Sequence, residues 1–547
     1  MPIGLPRCHI ITPLARTAVT FTMIKDTRTP GSAGPGTHDP TGGEHLDADA
    51  AELAKLGYKQ ELHRGMSGFS NFAISFSIIS ILAGCITSYS IALNSGGPSA
   101  ITIGWALVGV FVLMVALAMA EVCSRYPTAG GLYFWAGRLA NKNKRQWAWF
   151  VGWFNFLGEV AVTAAIDFGA ATTMNAFAAL VWGITPTPLS TWLTFIVIIV
   201  IHGLLNTFGV NLVALLSNVS AWWHVVGVLI IVVVLWVMPT SHQSFSWTMT
   251  TWHNATGFSF APYVFLMGLL MAQYTYTGYD ASAHVSEETK QAATAAPRGI
   301  VMSVVISIIG GWILLYTITA SITDGSPAGL DKLLATDTGL PPAQVFLDAL
   351  NNPTMAKFLL FIVCGAQFFC GMASVTANSR MTYAFSRDNA IPGSHIWSKV
   401  NPRSGTPTNS IWVCVALSTV LTIPALFNQT AYLAVTSIAV IGLYIAYVTP
   451  VMLRRLNKEF TPGPWSLGRW SGIVGWIAVV WVIFIVILFV LPPVWPITVA
   501  TFNYSPLAVA IVAILAIVLW QAGGKKHFMT REGSEHLTMD ADKLLDE

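Results

Sequence analysis

The sequence predicts an all-α polytopic membrane protein with twelve transmembrane helices, and three observations carry that prediction. Of 547 residues, 54% are hydrophobic and only 10% are charged, whereas soluble chains carry roughly 25% charged residues. The mean hydropathy is +0.63. The charges fall in short stretches between apolar runs, and the runs match the ~20 residues a helix needs to cross a bilayer.

Twelve runs follow in order, at about Phe69–Leu93, Ile101–Val122, Trp149–Leu180, Leu189–Leu205, Val213–Met238, Tyr263–His284, Ile300–Ser321, Met355–Phe385, Ile411–Phe427, Tyr432–Leu453, Ile473–Leu491 and Leu507–Trp520. Basic residues of short loops stay on the cytoplasmic side, and alternate loops separate by this rule. Arg125, Arg138, Lys142, Lys144 and Arg145 follow span 2; Lys290 and Arg298 follow span 6; Arg387, Lys399 and Arg403 follow span 8. Arg454, Arg455, Lys458 and Arg469 follow span 10, and Lys525, Lys526 and Arg531 follow span 12. The opposite loops carry only Lys332 and Lys357 as comparable charges, among Asp324, Asp331, Asp337 and Asp348. Both termini are therefore expected inside, with residues 1–64 a disordered cytoplasmic tail, 65–522 the membrane domain and 523–547 a second cytoplasmic tail.

The tails and the cysteines exclude other classes. Residues 1–22 lack the long apolar core of a signal peptide, Met23 is a candidate alternative start, and Asp26–Thr41 is rich in Gly, Pro and Thr. The net charge of +3 is small and scattered, which gives no support to nucleic-acid binding; anionic lipid is the expected counterpart. Cys8, Cys85, Cys123, Cys364, Cys370 and Cys414 show no metal-ligand spacing and read as free thiols. No cofactor or metal is expected, and the motifs of an intramembrane enzyme are missing from the sequence.

Two spans carry interruptions at corresponding positions of two halves, spans 1–5 and 6–10. Span 1 holds Leu82-Ala83-Gly84-Cys85 followed by Thr87, Ser88 and Ser90; span 6 holds Tyr274-Thr275-Tyr276-Thr277-Gly278-Tyr279-Asp280. Paired broken helices point to a transporter's binding site, although Gly84 serves equally well for close helix packing.

Two motifs then carry a family resemblance. Glu121-Val-Cys-Ser-Arg-Tyr-Pro127-Thr-Ala-Gly130-Gly131-Leu-Tyr133 follows span 2, and Tyr276-Thr-Gly278-Tyr-Asp280-Ala-Ser-Ala-His284-Val-Ser-Glu287-Glu288-Thr-Lys290 continues from span 6 to Pro297. With Ser379-Arg380, Arg387-Asp388-Asn389 and Ile391-Pro392 after span 8, the chain resembles the amino acid, polyamine and organocation permease superfamily, in its branch of amino acid, GABA and choline permeases. The resemblance implies a five-plus-five inverted repeat, the leucine-transporter fold, with two added C-terminal helices. It implies a plasma-membrane secondary transporter importing amino acids or GABA by alternating access; the alternative is a choline, polyamine or other organic-cation permease.

In that fold spans 1 and 6 unwind at mid-membrane, where half-helix N–H groups favour a carboxylate and freed carbonyls an ammonium. Ala83, Gly84, Cys85 and Thr87 are the expected substrate contacts in span 1, with small side chains that let a solute reach the backbone. Gly278 plays the matching part in span 6, where Tyr276 and Tyr279 offer an aromatic wall. With Trp223 they would cage a quaternary ammonium in the organic-cation alternative. Asp280, an acid within an apolar span, is expected beside the substrate and in gating.

Glu159 and Asp167 lie eight residues apart in span 3, roughly 80° apart around the helix. They read equally as structural pairs or as a proton relay. His224 in span 5 is a candidate proton-coupling group, set against a plain hydrogen-bonded histidine. Ser374 matches one sodium-ligating hydroxyl position of span 8, but Ala373 stands where sodium-coupled relatives often carry a second hydroxyl, which favours a proton over sodium. Glu287, Glu288, Lys290, Arg125 and Arg380 are candidates for an inner-face ion-pair network or for solvated charges.

Overall fold

The computed structural model describes residues 40–427, 430–499 and 501–529. Hydrocarbon leaves a backbone no water to bond, so each crossing must close its hydrogen bonds internally. Eleven helices among the described residues are long and apolar enough to cross a membrane. The predicted span 6 misses that length because it is three short helices, Ala261–Gly268, Leu270–Thr275 and Ala281–His284. With it the chain makes the twelve predicted crossings.

The long crossings are Gly68–Asn94 (span 1), Gly97–Arg125 (span 2), Lys144–Trp182 (span 3), Pro188–Thr207 (span 4), Val210–Val237 (span 5) and Ala292–Ala320 (span 7). They continue with Pro353–Arg387 (span 8), Thr408–Leu426 (span 9), Val435–Leu456 (span 10), Gly468–Phe489 (span 11) and Ser505–His527 (span 12). Spans 1 and 6, 2 and 7, 3 and 8, and 4 and 9 pack against each other. These pairs match a member of the first half with its counterpart in the second, as a five-plus-five repeat requires.

Span 3 is buried along most of its length and packs against spans 8 and 10. Spans 4, 5 and 12 are mostly exposed and apolar, with Val197, Leu215, Leu229 and Ile514 on the outside, the pattern of a lipid-facing rim.

Span 1 breaks at Ser80, three residues before the expected Ala83. Its two helices are Gly68–Ile79 and Ile81–Asn94, and Ser80 between them has φ +33° and ψ +81°. The Ser80 side chain accepts from Ala83 N–H, so a serine cap starts the second helix and Gly84 stays inside it. Gly84 instead permits a close approach: a Cβ there would lie 2.6 Å from Thr275 Cγ2.

Part of the expected N-terminal tail is built into the fold. A helix covers Pro40–Lys55, and Leu53, Tyr58 and Leu62 are buried. Met66 bridges to Thr289 beyond span 6, with Met66 N–H donating to Glu288 O at 2.8 Å. The Met23 start, Cys8 and most of the Asp26–Thr41 stretch lie outside the described residues, as does the C-terminal tail beyond residue 529. Cys85, Cys123, Cys364, Cys370 and Cys414 are free and buried.

Candidate functional site

The interruptions of spans 1 and 6 meet. Residues 276–280 form no regular helix, and Gly278 sits there at φ +100°. Its missing side chain matters, because a Cβ would stand 2.2 Å from Ile78 Cγ2, in the last turn of the first half of span 1.

Beside this contact lies a cavity of about 20 Å³, room for one water. Ile78, Ile79, Ala83, Gly84 and Thr87 line it from span 1, and Tyr274, Thr275 and Thr277 from span 6. Val162 and Ile166 of span 3 and Gln367 and Cys370 of span 8 complete it. No charged side chain is among these. Gln367 Nε2 donates to the Ala83 carbonyl at 3.2 Å and Cys370 Sγ lies 3.3 Å from the Ile78 carbonyl, so span 8 covers a carbonyl left at the end of the first half-helix and also bonds one inside the second.

Thr87 also lines a vestibule of about 680 Å³, which opens between the ends of spans 1, 3, 6 and 11 on the face away from the basic loops. Thr87 thus lines both the vestibule and the small cavity. Among the described residues the vestibule wall holds no charged side chain, and Ser90, Asn94, Thr172, Thr191, Asn503 and Tyr504 are among its polar groups.

Of the expected substrate contacts, Ala83, Gly84 and Thr87 line the cavity, and Cys85, Tyr276, Gly278, Tyr279 and Asp280 are not in its wall. Tyr276 lies against Trp105 of span 2, with ring centroids 4.2 Å apart. Tyr279 packs on Tyr447, and Trp223 packs on Phe361 and Phe369 while donating Nε1–H to Ile362 O. The three aromatics are therefore dispersed, and no cage forms from them. Thr275, Thr277, Gln367 and Cys370 were missed because hydroxyl, amide and thiol side chains inside spans give no local signal.

His224 has both ring nitrogens engaged. Nδ1 lies 2.8 Å from the Ser220 carbonyl and Nε2 2.6 Å from Ser80 Oγ, which ties the imidazole to the break in span 1. Ser374 turns to span 3, 2.9 Å from Thr163 Oγ1. Asp167 pairs with His202 of span 4 at 3.1 Å, both fully buried. Asp280 receives the Tyr447 hydroxyl at 2.6 Å and lies 3.2 Å from His284 Nε2. Glu159 joins these two in one buried group.

On the basic side the molecule is sealed by side chains from both motifs. Glu287 binds Arg387 through two bonds of 2.9 Å, and Arg380 holds Glu288 at 3.0 Å. All four are buried, so this is a desolvated network and not the solvated alternative. Burial alone would raise the Glu287 carboxyl, but Arg387 and the Ala129 N–H hold it below the usual glutamate value. Asp388, whose carboxyl burial pushes up, accepts from Tyr58 and Tyr133 at 2.8 and 3.0 Å. Arg387 also lies over the Tyr58 ring at 3.9 Å. Lys290 and Arg125 enter none of these ion pairs.

A sequence model of the amino acid permease family matches residues 66–516. The chain is 41% identical to the amino-acid permease BAT1 of Arabidopsis thaliana over 504 residues, covering 88% of this chain and 96% of that protein. The BAT1 homolog of Oryza sativa subsp. japonica is 40% identical over 90% of this chain and 96% of its own length. A choline transporter of Saccharomyces cerevisiae is 27% identical over 90% of this chain and 87% of its own length. The paired broken helices, the repeat pairing of the spans and these matches agree: the chain is a multi-pass amino-acid transporter that belongs to the amino acid permease family.

Proposed function

We propose that this permease imports a small zwitterionic amino acid, α-amino acids or GABA, across the plasma membrane by alternating access, with a proton as the coupling ion. The observation that carries the substrate class is the cavity where spans 1 and 6 break: it offers backbone groups, hydroxyls and an amide, and no charged side chain. A zwitterion brings its own two charges, which half-helix ends can meet. A cationic or anionic side chain would find no counter-charge there.

The basic loops support a cytoplasmic position for the sealed face and for both termini. On that reading the vestibule faces outward and Glu287–Arg387 and Glu288–Arg380 close the inner gate. Amino acid entering past Thr87 would widen the small cavity, the outer side would close, and the inner pairs would part. Ser374 is engaged by Thr163 and its neighbour Ala373 offers no hydroxyl, which supports a proton over sodium. Ala83, Gly84, Thr87, Thr275 and Gln367 are the proposed substrate contacts, with Gly278 shaping the break.

The organic-cation alternative would call for an aromatic cage or a carboxylate at the cavity, and Tyr276, Tyr279 and Trp223 lie elsewhere. The test is counterflow in proteoliposomes holding the purified chain, with alanine, GABA, lysine, glutamate, putrescine and choline as competitors. Alanine or GABA should compete and choline should not; choline transport without amino-acid transport would overturn the reading.

A further inference from the structure

We propose that Glu159, Asp280 and His284 form the site that carries the exchangeable proton, and that Ala129 links it to the inner gate. This rests on the proton-coupled reading above and names the groups that would hold the ion. One ligand atom from each of the three lies within 4.8 Å of the others, and all three residues are buried. Among the described residues neither carboxyl forms an ion pair with a lysine or arginine. The other titratable groups around them are Tyr279, Tyr444 and Tyr447 from spans 6 and 10 and Cys414 from span 9, none of which supplies a positive charge. Asn155 of span 3 adds only a long amide contact of 3.4 Å to His284 Nε2.

Hydrogen-bond geometry counts the protons. His284 Nδ1 lies 2.9 Å from the Ala129 carbonyl, an oxygen that can only accept, so Nδ1 bears a hydrogen. His284 Nε2 faces Asp280 Oδ2 at 3.2 Å. That bond needs a second proton, on the ring or on the carboxyl, because a bare lone pair cannot bond a carboxylate. Asp280 Oδ1 is already taken by the Tyr447 hydroxyl at 2.6 Å. Glu159 forms a side-chain hydrogen bond with the same Asp280 carboxyl, which needs a further proton because two bare carboxylates cannot bond each other; that further proton is the exchangeable one. The chemistry is a reversible protonation of one carboxyl, drawn from outer water and returned to the inner side, with no covalent change.

The link to the gate is a single residue. Ala129 accepts from His284 through its carbonyl and donates its N–H to Glu287 Oε1 at 3.0 Å, the carboxylate clamped by Arg387. Any tilt of His284 that follows a change in cluster charge therefore reaches the gate's ion pair through Ala129. Gly131 permits the approach, since a Cβ there would lie 3.2 Å from His284 Cε1.

The test uses the full-length chain in liposomes loaded with a pH-sensitive dye, and labelled alanine and GABA. Wild type should show proton entry with amino-acid entry and accumulation driven by an imposed pH gradient. Glu159→Gln should lose gradient-driven accumulation by roughly ten-fold or more, keep measurable amino-acid counterflow, and lose the pH dependence of that counterflow. Asp280→Asn provides the second variant and should reduce proton entry per amino acid. Gradient-driven accumulation at the wild-type level in both variants would overturn the site. Wild-type counterflow with no accompanying proton entry would overturn proton coupling and this inference while leaving the amino-acid reading intact. Absence of wild-type counterflow with both probes would overturn the amino-acid reading itself.

Discussion

Gly278 and Ile78 lock the two broken spans together: a Cβ on Gly278 would stand 2.2 Å from Ile78 Cγ2, at a backbone angle of φ +100°. Gly278→Ala should therefore cost about 1–3 kcal/mol through strain and crowding together. Transport should fall more than the amount of folded protein, measured as counterflow per detergent-stable molecule. Gly278→Ala with Ile78→Ala should recover part of the loss, since the second change relieves the clash but not the backbone strain.

Gly84 gives a second steric test, at the cavity itself. Its added Cβ would meet Thr275 Cγ2, Oγ1 and Cβ at 2.6, 2.7 and 2.9 Å. Gly84→Ala should raise the KM for amino acid about ten-fold, equivalent to about 1.4 kcal/mol, and addition of Thr275→Ala should partly restore it. An unchanged KM would remove this contact from the binding site.

The inner gate predicts a change of accessibility. Arg387→Gln leaves Glu287 buried without its partner, a loss of about 3–5 kcal/mol where such pairs are broken. The variant should label more readily at a cysteine introduced at Ser286, with membrane-permeant and inner-side reagents alike. Equal labelling of variant and parent would argue against a gate.

The same face has a pH signature whose sign follows from two carboxyls, Glu287 of the gate and Asp388 beside it. Glu287 is held below the ordinary value of 4.5, so its stabilisation is complete above that pH and is lost as the pH falls through the lower folded value. Asp388 is raised, mainly by burial, so the native state binds its proton more tightly and gains stability as the pH falls. The two oppose each other in acid. Between about pH 4.5 and 3.8 the thermal stability should fall more steeply with acid in Asp388→Asn than in wild type, and less steeply in Glu287→Gln.

His224 separates support from coupling. Its two bonds tie Ser80 to Ser220, so His224→Gln should lower counterflow and gradient-driven uptake in the same proportion. Loss of gradient-driven uptake alone would return the coupling role to His224.

How much of this was legible in the sequence differs between the two breaks. Span 6 announced its interruption through Gly278 in the run Tyr274 to Asp280, and the structure breaks within that run. Span 1 misled, because Gly84 marks close packing while the break uses Ser80, whose serine side chain caps the next helix. The acids Glu159 and Asp167 were visible as costly charges in an apolar span. Their partners were not: one faces Asp280 and His284, the other His202.

Hydropathy, run length and loop charge are local properties, so the chain by itself determined twelve crossings, the level of the span 6 break and the family. Which side chains converge depends on the packing of spans far apart along the chain, as Tyr447 and Asp280 meet across 167 residues. Only the tertiary structure could therefore decide the uncharged cavity, the buried ion pairs and the convergence of Glu159, Asp280 and His284. Each exists because bilayer burial compels polar groups to find partners wherever the fold brings them.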